Sequence, residues 1–403
     1  MSYEINSHST GIEAEFDLIC PCGGRKNTSE LIESTNFSQY EISPHTIEIG
    51  TNGGNSITES LKTIFDQIKQ LSKELKQNTN LFPFGSLPNK RSRQEHKDAI
   101  DHLQNHPNEY YKYLLRERDG SIVSSNLDVN GLQFHVGIAD SDNFEILLKR
   151  YNALRFLTPL FQGLAASSPI RDSIYRGYSS ERALSKKGLP KSGVPDFLDS
   201  LEQLDFILGT NPSHVKSSLS PGYYPIRLPR QDINTTELCS MDMIPDKDLI
   251  VSLLDLYLRI CKKIDVSSYH QLPENIFGNH NQLRMSHIIN TNFQSVENMQ
   301  QCLRDTQVVL SNNSMIPFNQ WLKNIFEWIE EIPSQILSQN TTNSLMTILE
   351  KGTHSEQLIQ SLQQLEIIQP YSFGDVQSYN TSQMHDIVNL YRQHAQTNLF
   401  SKL

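Results

Sequence analysis

Residues 11–20 alternate apolar and acidic side chains with a period of two. Folded as a strand, they put Ile12, Ala14, Phe16 and Leu18 on one face and Glu13, Glu15 and Asp17 on the other. Neighbouring carboxylates on that face stand ~7 Å apart, close enough to share cations between them. Three further segments offer one such group each: Glu48 in residues 41–49, His135 in 132–138 and Glu237 in 235–243. Hard oxygen donors suit magnesium, and magnesium works with substrate phosphates. The chemistry open to these residues is therefore metal-assisted handling of a phosphoryl group. The ordinary alternative is a solvated outer face of an antiparallel sheet, and periodicity by itself favours that alternative.

The elements that must position these groups follow from the patterning. Strands are expected at 11–20, 41–49, 132–138 and 235–243, the last with Glu237, Cys239 and Met241 on one face. In the third, Leu132, Phe134, Val136 and Ile138 face the core and Gln133 and His135 face away. Helices are expected at 57–77, 98–106, 110–118, 143–164, 248–263, 318–332 and 355–365. Residues 21–24, 50–55 and 82–88 read as turns or loops. Residues 167–195 are rich in Ser, Gly and Arg with little periodicity, and a loop of that length marks function. No repeat and no clear linker appears. One large domain over residues 1–368 is expected, with 369–403 as a helical C-terminal extension packed on it.

The 403 residues carry a net charge of -10, from 35 Lys and Arg against 45 Asp and Glu. That balance argues against a nucleic-acid partner, which needs a basic face to release counterions. Mean hydropathy is -0.45, and no stretch approaches the ~20 apolar residues of a membrane span. Five cysteines do not make a disulfide framework, so a reducing, cytoplasmic setting is expected. Cys20-Pro21-Cys22 lacks a second pair at zinc spacing and reads as surface or half-buried thiols. His102 and His106 lack the Glu of a zincin motif, and residues 50–55 lack the Lys-Ser/Thr of a P-loop. Trp321 and Trp328, seven apart on one helix face, read as core or an oligomer surface.

An ordered set of motifs resembles the glutamate–cysteine ligase type 2 family of bacterial carboxylate–amine ligases. Gly11-Ile12-Glu13-Ala14-Glu15-Phe16 matches its opening Gly-x-Glu-x-Glu-Phe strand, and Thr46-Ile47-Glu48-Ile49 a strand ending in one Glu. Pro83-Phe84-Gly85-Ser86-Leu87-Pro88 matches its Pro-x-Gly-x-x-Pro loop. Gly131 through Ile138 resembles its Gly-x-His-Val-His-Val-Gly-Ile strand, and Ala165-Ala166-Ser167-Ser168-Pro169 the end of the helix that follows. Ser180-Glu181-Arg182, Leu189 through Pro195, Thr236-Glu237-Leu238, Asn281-Gln282-Leu283-Arg284 and Ile348 through Thr353 continue the series, in family order, across about residues 11–358.

The resemblance implies an α+β, glutamine-synthetase-like catalytic domain. Its curved, mainly antiparallel sheet forms a funnel backed by helices. It implies ATP and Mg2+ as cofactors and the joining of a carboxylate, usually the γ-carboxylate of glutamate, to an amine through an acyl phosphate. Glu13, Glu15, Glu48, His135 and Glu237 would be metal or phosphate ligands. Arg176 and Arg182 would meet phosphate or substrate carboxylate, and Arg284 the substrate side. Small-molecule carboxylate and amine substrates are the partners it implies, and a homodimer is the expectation from the general prevalence of two-fold assemblies. Three departures stand out. Cys239 occupies the Arg position of the Thr-x-Glu-x-Arg strand, Gln133 the first His of the His pair, and His354 through Leu358 lack the Arg of the C-terminal segment. Arg227 or Arg230, just upstream of the strand, would be the substitute for the first of these. A phosphotransferase on the same fold, or a non-catalytic binding protein, is the alternative reading.

Overall fold

The computed structural model describes residues 8–41, 43–51, 56–105, 129–138, 144–187, 197–200, 203, 226–227, 235–268, 272–277, 307–310, 314–331, 337–369 and 376–403. The expected helix at 110–118, together with Arg230, Arg284 and residues 189–195, lies outside these.

Strands in chain order are β1 (Thr10–Ile19), β2 (Ser38–Tyr40), β3 (Thr46–Gly50), β4 (Asn80–Phe82), β5 (Gly131–Gly137), β6 (Ile170–Arg171), β7 (Ile174–Tyr175), β8 (Ile226–Arg227), β9 (Thr235–Asp242), β10 (Gln307–Val309), β11 (Met315–Pro317) and β12 (Gln377–Ser378). Helices are α1 (Ser29–Ser34), α2 (Ile57–Glu74), α3 (Arg93–Asn105), α4 (Phe144–Leu154), α5 (Thr158–Leu164), α6 (Glu181–Lys187), α7 (Lys247–Val266), α8 (Glu274–Phe277), α9 (Phe318–Glu330), α10 (Gln339–Lys351), α11 (His354–Gln364) and α12 (Thr381–Asn398). The class is α+β, as expected. The main sheet runs β2-β3-β1-β5-β9-β8, with β4 also on β1, and every pairing is antiparallel.

The alternation in β1 and β5 sorts their side chains as expected. Ile12, Ala14, Phe16, Leu18, Leu132, Phe134 and Val136 are buried in the main core, which α7 backs. Helix α7 buries most of its length from Leu249 to Ile264, leaving Val251, Arg259 and Lys262 half-buried along its outer side. Its Asp246 cap accepts the Asp248 and Leu249 amides. Tyr257 reaches from it to the Thr236 carbonyl in β9. The buried Arg150 of α4 binds both carboxylate oxygens of Asp265 at 2.6 and 2.5 Å and the carbonyls of Val136 and Gly137. One guanidinium thus fastens the end of β5, next to His135, to the helical layer.

Four expectations are corrected. The strand expected at 41–49 is confined to β3 from Thr46, because residues 43–45 turn around Pro44 and fold β2, which ends at Tyr40, back on β3. The helix at 143–164 breaks between α4 and α5, where Pro159 in the first turn of α5 cannot continue the preceding ladder. The loop at 167–195 contains a hairpin, β6–β7, whose Asp172 and Ser173 both have positive φ, followed by α6. Cys20 and Cys22 are joined by a disulfide rather than being two thiols. The Gly24 amide also reaches the Cys20 sulfur across the same turn.

Trp321 and Trp328 are core residues, 1% and 3% exposed, and Trp321 donates to the Ile276 carbonyl. Helix α12 packs into a second apolar cluster through Ile387, Val388 and Tyr391, and Tyr391 stacks on Phe82 and meets Phe84 at a tilt. That contact presses on the loop at 83–88. Among the described residues, no helix is long and apolar enough to cross a membrane.

Candidate functional site

Antiparallel register brings the expected ligands onto one face of the sheet. Glu15 lies opposite Glu48, Glu13 opposite Gln133, His135 opposite Glu237, and Glu237 opposite Arg227. Cross-strand partners on one face have Cβ atoms ~5 Å apart, so the side chains must interact. Two clusters result. Glu13, His135 and Glu237 each bring one ligand atom within 4.8 Å of the others, and so do Glu15, Glu41 and Glu48. All five expected metal ligands are therefore brought together, with Glu41 added.

The electrostatics of the two clusters differ. In the first, Glu13 lies 3.3 Å from His135 Nε2. Burial pushes the Glu13 carboxyl up, but His135 and Arg227 outweigh it and hold it below its ordinary value. Burial pushes His135 down, but Glu13 and Glu237 outweigh it and raise the imidazole. Arg227 donates to Gln133 Oε1 at 2.9 Å and pairs with Glu237. In the second cluster, burial first, then Glu41, Glu13 and Glu15, push the Glu48 carboxyl well above its ordinary value. Gln39 donates to Glu48 at 2.8 Å, and Gln133 donates to Glu15 at 2.9 Å. Crowded oxygen donors of this kind are the set that a hard divalent cation satisfies.

Beneath the clusters lies a polar floor that alternation did not place. Strand β9 bulges against β5, so that Leu238 pairs with Phe134 but Met241 pairs with Leu132. Met241 is therefore in the core, not on the face of Glu237 as expected. The same shift turns Asp242 onto the site face, opposite Gly131. Asp242 accepts the Ser167 amide at 3.0 Å, Ser168 Oγ at 2.6 Å and Ser180 Oγ at 2.7 Å. Burial raises its carboxyl despite Arg182 and these three donors. Two glycines make room for this floor. A Cβ on Gly85 would stand 2.3 Å from Asp242 Cγ, and one on Gly131 would stand 2.5 Å from Arg182 Nη2.

The two expected arginines have different placements. Arg182 is 1% exposed and donates to the Cys239 carbonyl at 3.1 Å, below Gly131. Arg176 pairs with Glu181 at 2.9 Å. Burial raises the Glu181 carboxyl to about 7, against the pull of Arg176.

Sequence reasoning missed Glu41 and Asp242. Glu41 is on the opposite parity to Glu48 in an unbroken strand, and Pro44 was the available sign that the strand breaks. Asp242 falls on the apolar parity of an unbulged strand, and an acid there was the sign of a register shift.

The N-terminus of α11 closes the floor from outside. Ser355 bonds the Ala166 and Ser179 carbonyls, and Thr353 caps the helix by accepting the Glu356 amide at 3.2 Å. Thr353→Ala is expected to cost about 1 kcal/mol of unfolding free energy in a denaturant titration. An unchanged midpoint would count against the cap.

A cavity of about 570 Å³ opens between α2, β4 and α12, lined by Asn80, Arg392 and Gln396 among others. None of the carboxylates above borders it.

Comparison with known proteins places the chain in a family. The family model described as glutamate-cysteine ligase family 2 (GCS2) matches residues 9–209, about half of the chain. The chain belongs to that family. All of the first cluster except Glu237, and the whole of the second, lie inside the matched range. A relative from Nocardioides sp., provisionally named glutamate–cysteine ligase 2-3, is 32% identical over 127 residues, 31% of this chain and 33% of the relative. Another from Bradyrhizobium sp., provisionally named glutamate–cysteine ligase 2, is 23% identical over 273 residues, 65% of this chain and 63% of the relative. The chain thus spans a third to under two thirds of the length of these relatives.

Two solved structures share the fold. The glutamate–cysteine ligase of Francisella tularensis, solved in complex with AMP, superposes with a TM-score of 0.56 at 12% identity, covering 96% of this chain and 89% of that one. A bifunctional glutathione synthetase of Pasteurella multocida superposes with a TM-score of 0.52 at 13% identity, covering 97% and 53%.

Proposed function

We propose that this family member is an ATP- and Mg2+-dependent carboxylate–amine ligase. It forms an amide bond of γ-glutamyl type, with glutamate or a similar acid as donor, on small-molecule substrates in the cytoplasm. The observation that carries the reading is the meeting of two carboxylate-rich clusters on one sheet face of a family 2 chain. The nucleotide part draws support from the Francisella tularensis protein, whose structure holds AMP.

Glu13, His135 and Glu237 have metal-ligand types but carry the Arg227 guanidinium among them, whereas the three carboxylates of the second cluster fit magnesium. Bound there, Mg2+ would offset triphosphate charge. The protein's own part is positioning. Gln39 and Gln133 hold Glu48 and Glu15 in orientation through amide hydrogen bonds. Arg227 supplies a positive charge opposite Glu237, on the strand beside Cys239, where the family pattern has Arg. Asp242 and Arg182 hold the serine-rich segment 167–168 and Ser180 against the sheet. We assign residues 1–368 to this catalytic unit, with 369–403 as an extension.

The test is direct. The chain is incubated with ATP, Mg2+, glutamate and a panel of amines, and ADP and new amide are measured. Amine-dependent amide is the expected result. ADP with a phosphorylated small molecule and no amide would mean transfer without ligation. No turnover with any amine would leave a binding protein.

A further inference from the structure

Two departures from the family pattern converge on one side chain. Gln133 stands where the resemblance has a histidine, and Cys239 where it has an arginine. Arg227 on β8 reaches both neighbourhoods. Its Nη2 donates to Gln133 Oε1 at 2.9 Å and to Glu237 Oε1. Strand pairing sets this contact, since Arg227 is the register partner of Glu237. Cys239 and Glu13 lie within electrostatic range of the same guanidinium. A neutral amide at position 133 accepts the arginine's N–H without charge repulsion, which an imidazolium there would not.

The first cluster therefore contains its own counter-charge. Glu13 and Glu237 supply two negative groups. Arg227 answers one of them, and His135 Nε2 stands 3.3 Å from the other. A divalent ion entering beside that guanidinium would meet a like charge at close range, in a half-buried site.

We propose that the Arg227 guanidinium is the resident cation of the Glu13–His135–Glu237 cluster, in place of a divalent ion. The ligand-free chain then takes up its divalent ion at Glu15, Glu41 and Glu48. The inference rests on the metal-dependent reading above. It adds a stoichiometry and a residue to that reading. The arginine missing from β9 is replaced from the neighbouring strand, and the replacement lowers the number of metal ions needed before nucleotide binds.

The experiment counts Mn2+ bound to the full ligand-free chain, from the loss of the free-ion signal in electron paramagnetic resonance. The wild-type chain is expected to bind one ion. Arg227→Met should bind two, and Arg227→Met with Glu237→Gln should return to one. Arg227→Lys keeps the charge and should bind one, which separates charge from any loss of folding. Two ions on the wild-type chain, or one on a folded Arg227→Met chain, would overturn the proposal and leave the metal-dependent reading standing. No ion on any variant would overturn both.

Discussion

Glu48→Gln is expected to remove Mg2+-dependent ATP turnover while raising the melting temperature of the ligand-free protein. The two effects have one cause. Glu48 is 6% exposed, stands opposite Glu15 and shares its cluster with Glu41. Burial and three neighbouring carboxylates disfavour its charged form and push its carboxyl well above the ordinary value. An acid whose folded value is raised holds its proton more tightly in the native state. Its cost to stability is therefore present in full above the folded value and is relieved as pH falls through it. Glutamine keeps the shape and the Gln39 contact but deletes the charge. The variant should melt higher than wild type near neutral pH and lose this component of the pH dependence. Under the proposed reading, the same charge holds the cation that offsets developing negative charge on phosphate. Its loss should lower kcat/KM by some hundreds-fold, about 3–4 kcal/mol. A variant that melts lower than wild type, or turns over ATP within threefold of it, would refute this account of the cluster.

Asp242→Ala is expected to destabilise the fold by about 3–5 kcal/mol. The substitution leaves the Ser168 and Ser180 hydroxyls and the Ser167 amide without their shared acceptor in a buried place, and removes the charge that faces Arg182. Alanine is also too small to fill the space against Gly85, whose backbone packs on the Asp242 side chain. Asp242→Asn keeps the volume but turns donors toward donors, and should fall between wild type and alanine. The measurement is the denaturant midpoint at unchanged slope. A loss under about 1 kcal/mol would mean that other groups carry the floor. Because the floor holds 167–168 and 180 under the carboxylates, turnover should fall with stability, and ligand binding should restore part of both.

Much of the site was legible because a strand has a period of two. Alternation in residues 11–20 and 132–138 placed Glu13, Glu15 and His135 on a face opposite Ile12, Phe134 and Val136 before any pairing was known. The helices at 57–77, 248–263, 318–332 and 355–365 were legible for the same kind of reason, with the longer period. Where the period was interrupted, the reading failed. A turn at Pro44 put Glu41 beside Glu48, and a bulge in β9 exchanged Met241 for Asp242.

What the sequence by itself determined is local: which side chains share a face, where proline and glycine break an element, and which motifs follow one another. Strand order, register and bulges belong to the tertiary structure, because they depend on contacts between segments far apart in the chain. Glu15 meets Glu48 across 33 positions and His135 meets Glu237 across 102, differences read from their numbers. No local period encodes those distances. Arg227 shows the consequence most clearly. In the sequence it is one of two arginines upstream of a strand that lacks one, and only the pairing of β8 with β9 sets it against Glu237. The same pairing makes an acidic, metal-competent face carry its own cation.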